Sequence, residues 1–139
     1  MFNKTYYERL KCWKDFRENL ETSQTPFDDV LEFWRLAPLS NMQADPFDNT
    51  TWPNPWEMIE ENIYCEFVKI LAICYTLQLT ERFSQSHFEI HIAIDKTEEQ
   101  IVYLLFVDNQ PLGYYNEGDF DSSTLFNLDC QMQHIMYPF

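Results

Sequence analysis

Phe88-Glu89-Ile90-His91-Ile92-Ala93-Ile94, followed after a polar turn by Ile101-Val102-Tyr103-Leu104-Leu105-Phe106-Val107, is the stretch that decides the fold class. Apolar and polar residues alternate at period two in the first run and through much of the second, as half-buried strands require. Residues 95–99 between them are polar, so the pair reads as a β-hairpin over 88–107. Centring the hairpin near Thr97 and Glu98 places His87 opposite Asp108 and His91 opposite Leu104. After the Gln110-Pro111 turn, residues 112–116 can add a third strand.

Upstream of the hairpin the period changes. Asn54-Pro55-Trp56-Glu57 has the chemistry of a helix start, with Asn as N-cap, Pro at the first helical position and Glu at the third. Ile59, Ile63, Phe67, Ile70, Leu71, Cys74, Leu77 and Leu79 then form an apolar surface too broad for a surface helix. The reading is one long buried helix over 55–83, with Asn62 a point where it can divide. Before it, residues 4–21 place Tyr6, Leu10, Trp13 and Leu20 at helical spacing among Lys and Glu. Thr25-Pro26-Phe27-Asp28 opens another helix to Arg35, with the Thr25 hydroxyl as its expected cap. Residues 37–54 form a loop rich in Pro and aromatics, and the segment 117–139 is a tail without a clear pattern. The fold class is α+β: N-terminal amphipathic helices and a central helix packed on a small antiparallel sheet, in a single domain of 139 residues.

Composition narrows the function. Only two glycines occur, Gly113 and Gly118, so no Gly-rich phosphate-binding loop can form. The net charge is −14. Seven acids and six bases lie in residues 1–35, whereas sixteen acids and three bases (Lys69, Arg82, Lys96) lie in the rest. Such a field repels phosphate backbones and anionic membranes, so direct nucleic-acid and membrane roles are not expected. It suits a basic protein partner, or it keeps a chain that is 17% aromatic soluble. The N-terminus lacks the apolar run of a signal peptide, and Cys12, Cys65, Cys74 and Cys130 form no C-x-x-C pair. Reduced thiols and a cytoplasmic location are expected.

One constellation points to chemistry: Cys65, then His87, then Asp108. A thiol near a helix N-terminus, beside an imidazole oriented by a carboxylate, is the arrangement of a nucleophile, a base and its orienter. This order, over residues 56–108, resembles the transglutaminase-like or papain-like core, in which a Cys opens a helix and His and Asp follow on neighbouring strands. The resemblance implies a cysteine hydrolase or acyltransferase with Cys65, His87 and Asp108 as its catalytic residues. The plainer reading is a core cysteine and two strand histidines, since free Cys is commonly a small buried hydrophobe. Glu66, next to Cys65, opposes thiolate formation.

Metal binding is not expected. His87 and His91 lie four residues apart on a strand, about 13 Å, too far for one ion. Cys130 and His134, four apart on a helix, would supply only two ligands. No cofactor is implied. The acid pairs Asp28/Asp29, Glu60/Glu61 and Glu98/Glu99 read as solvated faces.

Phe47, Trp52 and Trp56 put large rings among stiff prolines, the kind of residues that anchor partners. The run Trp52-Pro53-Asn54-Pro55-Trp56-Glu57, with Tyr64-Cys65-Glu66-Phe67, also resembles small proteins of large tailed phages. That resemblance implies a virion component or a host-factor-binding protein, located in the virion or the host cytoplasm. From the sequence, then, the leading reading is a non-enzymatic acidic interaction protein that docks on a basic surface through Phe47, Trp52 and Trp56. The alternatives are the cysteine enzyme and an acidic mimic of nucleic acid that occupies a partner's binding groove.

Overall fold

The computed structural model describes residues 1–42, 44–113 and 127–138, and divides into two compact units, Met1–Gln85 and Ser86–Phe139. The first is helical, with α1 (Tyr6–Leu20), α2 (Pro26–Arg35), a 3₁₀ turn (Asn49–Thr51), α3 (Pro55–Glu61) and α4 (Glu66–Gln78). The second is a sheet of β1 (Phe88–Asp95), β2 (Gln100–Val107), β3 (Gln110–Gly113) and β4 (Leu128–Met136). The class is α+β.

In the helical unit, α4 is the centre: every residue from Phe67 to Gln78 is buried. That is what its nearly continuous apolar surface requires. Two of the buried polar residues on α4, Thr76 and Lys69, are hydrogen-bonded. Thr76 Oγ1 accepts hydrogen bonds from the indole N–H of both Trp13 and Trp34, each at 3.0 Å, and donates to the Ala72 carbonyl at 2.6 Å. One hydroxyl thereby ties α1 and α2 to α4. The Lys69 ammonium, 1% exposed, donates to the Ala37 carbonyl at 2.6 Å. Phe2, Trp34 and Tyr64 pack against one another at ring separations of 5.4–5.8 Å.

The helix expected over 55–83 is two helices and a turn. Asn54 and Glu57 form the full capping box at the start of α3, with bonds of 2.8 and 3.3 Å. Asn62 then enters the left-handed region at φ 54 and ends α3. Asn tolerates this conformation because its short polar side chain bonds locally; here it donates to the Phe2 carbonyl at 2.8 Å. Arg9 reinforces the end: its guanidinium donates to the carbonyls of Ile59 and Glu60, each at 3.1 Å. These are last-turn oxygens that have no partner within the helix. At the far end α4 stops at Gln78 and turns follow. The N-cap expected at Thr25 also differs: its hydroxyl donates to Asp29 Oδ1 at 3.0 Å and does not cap the main chain.

In the sheet unit the strand order is β3-β2-β1-β4, all antiparallel. The β1–β2 register runs from Phe88↔Val107 to Asp95↔Gln100 without a slip, as the alternation predicted. Asp95 Oδ1 accepts from the amides of Thr97 and Glu98, and Glu99 takes a positive φ of 54 to close the turn. A third strand is present, but it begins at Gln110, earlier than expected; residues 114–116 lie outside the described residues. Two left-handed residues, Asp108 (φ 50) and Asn109 (φ 68), make the β2–β3 turn in the primed geometry that hairpins favour. The tail holds β4, paired with β1 through a bulge between Ile92 and Ala93. Cys130 and His134 therefore lie on a strand and not on a helix. Among the described residues, no helix is long and apolar enough to cross a membrane, and no three His, Cys, Asp or Glu cluster to hold a metal ion.

Candidate active site

Because Asn62 ends α3, Cys65 becomes the N-cap of α4, in extended backbone at φ −79, ψ 170. Its carbonyl accepts the first helical bond, from the Lys69 amide at 3.0 Å. The first-turn amides of α4 have no acceptor within the helix and concentrate positive potential at its start. No side chain caps them. Two features oppose reactivity: Cys65 is only 3% exposed, and Glu66 adds a negative charge in the first turn.

Cys65 and its neighbours are held from both sides. Tyr64, fully buried, pairs its main chain with Leu39, and its carbonyl accepts from Ser40 N at 2.9 Å. Burial pushes the Tyr64 hydroxyl well above the usual phenol range, with nearby Arg9 acting the other way. Cys74, about two and a half turns further along α4, is wholly buried, and desolvation drives its thiol far up. That makes it an inert core residue.

A cavity of about 480 Å³ opens beside this helix start, bounded by Trp52, Pro53, Glu57, Glu61, Ile63 and Val68. The Trp52 ring leans on Phe67 at 4.9 Å, and its indole N–H donates to the Asp45 carbonyl at 2.8 Å. Of the other two predicted anchors, Trp56 is 48% exposed and packs edge-on against Trp13, and Phe47 is 47% exposed. Neither lines this cavity. The sequence marked Glu57 as a capping residue and Glu61 as part of a solvated face; the fold places both at the wall of one hollow.

In the sheet unit, His87 and Asp108 stand opposite each other as the register predicted. Two main-chain groups make the contact: Asp108 N donates to His87 O, and His87 N donates to Asp108 Oδ1, both at 2.8 Å. The Asp108 carboxylate, held below its usual range by the His87 amide and the Ser86 side chain, thus engages the backbone. The His87 imidazole meets Glu89, with Nε2···Oε2 at 3.1 Å. On the other side, Glu89 Oε1 lies 3.7 Å from His91 Nε2. The His91 ring packs on Phe106 at 4.2 Å, and burial lowers its pKa while Glu89 raises it. The carboxylate that contacts an imidazole is therefore Glu89, which the sequence reading passed over. Period two was the available signal, since residues 87, 89 and 91 share one face of a strand.

No family model matches the chain, and no curated protein matches it. These comparisons show no similarity to phage proteins. Among solved structures, the chain is similar to Legionella pneumophila LapG in its calcium-bound form. The TM-score is 0.62 and the identity 16%, covering 95% of this chain and 77% of that one. The likeness is one of fold.

Proposed function

We propose that this protein is a cysteine hydrolase or acyltransferase built on a transglutaminase-like fold, with Cys65 as its nucleophile. The observation that carries the proposal is the placement of Cys65 as the N-cap of α4, immediately after a helix break made by a left-handed Asn. The fold likeness to LapG supports it. His87 enters as the general base through its order in the sequence. Asp108 and Glu89 compete for the role of orienter, and Glu89 is favoured by its contact with the imidazole. In the reaction, the thiolate adds to an acyl carbon, the leaving group departs with a proton from a general acid, and water or an amine then takes the acyl group from sulfur.

The test is alkylation by iodoacetamide followed peptide by peptide, so that Cys65 is compared with Cys12 and Cys130 in the same molecule. Cys65 should react faster than both at neutral pH. Equal or slower reaction across the pH range overturns the assignment.

A second reading is supported by a different observation, the charge of −14 together with the exposed rings of Phe47 and Trp56. It is an acidic interaction surface that recognises a basic partner.

A further inference from the structure

We infer that the cavity between Trp52 and α3 is a binding site for a lysine or arginine side chain of a peptide or protein. The inference rests on the second reading above and gives it a location and a chemistry.

The walls divide into two kinds. Pro53, Ile63 and Val68 are apolar and suit a methylene stem, whereas Glu57 and Glu61 place two carboxylates on successive turns of α3. Side chains four apart on a helix are neighbours, so these two acids repel each other unless a cation lies between them. Among the described residues neither forms an ion pair with a Lys or Arg. Trp52 adds an aromatic wall, the best ring for a cation, and its hydrogen bond to the Asp45 carbonyl and its ring contact with Phe67 fix its plane before a ligand arrives. The volume of about 480 Å³ lies within the range of natural ligand pockets and matches one long side chain with its flanking backbone. An anion would meet two carboxylates here, and a purely apolar group would strip water from both without compensation.

The requirements are thus a long aliphatic stem and a terminal cation. Lys and Arg are the side chains that meet both. A negative field across residues 36–139 draws such a partner in from a distance.

The probe is an alanine-rich hexapeptide with one central lysine, compared with the same peptide carrying norleucine. Binding to the full chain is read from the indole N–H resonance of Trp52, which lines the cavity. The lysine peptide should move that resonance in a saturable way, and the norleucine peptide should not. Affinity should fall roughly tenfold between about 50 and about 500 mM NaCl, and by a similar factor in Glu57→Gln/Glu61→Gln. Gln at position 57 keeps the capping box, so the double variant stays folded. If the lysine peptide binds the double variant as tightly as the parent, the cavity is not the site, although the acidic-surface reading stands. If it binds neither protein at any salt concentration, the cavity assignment is overturned. Equal binding of the norleucine peptide refutes the requirement for a cation.

Discussion

At the residue scale the helical unit depends on single polar atoms doing the work of several contacts. Thr76 Oγ1 accepts two indole N–H donors, and both tryptophans are fully buried. Replacing it by valine keeps the shape and leaves both donors unsatisfied. Each orphaned buried donor costs about 1–3 kcal/mol, so Thr76→Val should lose about 2–5 kcal/mol in urea unfolding. Thr76→Ser, which retains the oxygen, should lose far less. Equal losses in the two variants would mean that the methyl group matters and the hydroxyl does not. This feature could not be read in advance: Thr76 was one polar residue in an apolar helix, and nothing in its spacing names two tryptophans 42 and 63 residues away. Glu89 was hidden for a related reason. Cross-strand pairing drew attention to Asp108, whereas the neighbour two residues along the same strand supplied the nearer carboxylate.

At the scale of elements, the outcome turns on whether the chemistry is local. The β1–β2 register followed from alternation and a polar turn, both written in consecutive residues. The capping box of α3 was equally legible. β4 was not, because Asp129, Gln131, Gln133 and Ile135 mix polar and apolar groups on its exposed side, and a bulge shifts the pairing. The break between α3 and α4 was visible as an option at Asn62 but not as a certainty, since Asn also occurs within helices. Its left-handed φ, its bond to Phe2 and the Arg9 bonds to the α3 carbonyls decide the matter. Asn62→Ala puts a Cβ without a polar group in that conformation and should cost about 1–2 kcal/mol from the backbone term, with the loss of the Phe2 bond in addition. Asn62→Gly suffers only the second loss and should be the milder variant. Chemical denaturation of the two proteins checks the order. If Ala proves as stable as Gly, the helix break is not held by the left-handed residue. The same comparison bears on Cys65, which is an N-cap only while the break persists.

At the scale of the whole molecule, the dominant fact is a charge of −14 with few compensating contacts. Among the described residues, the Lys or Arg to carboxylate ion pair that forms is Arg35 with Glu32, and both partners are more than half exposed. Exposed pairs of this kind contribute little. Two of the cations in the acidic part, Lys69 and Arg82, spend bonds on main-chain carbonyls, at Ala37 and at Leu20 and Ser23. The remaining carboxylates therefore repel one another across the surface with little local attraction to offset them. Salt should consequently stabilise this protein. Raising NaCl from about 20 to about 500 mM shortens the screening length from roughly 20 Å to about 4 Å, which removes repulsion between distant acids and leaves short hydrogen bonds intact. The urea midpoint should rise over that range with the slope of the transition unchanged. A midpoint that falls with salt would show that attractive ion pairs outweigh the repulsion. The same screening should weaken a lysine peptide at the Trp52 cavity. Opposite salt responses of stability and binding, measured on one sample, are what the proposed lysine site on this acidic surface must give.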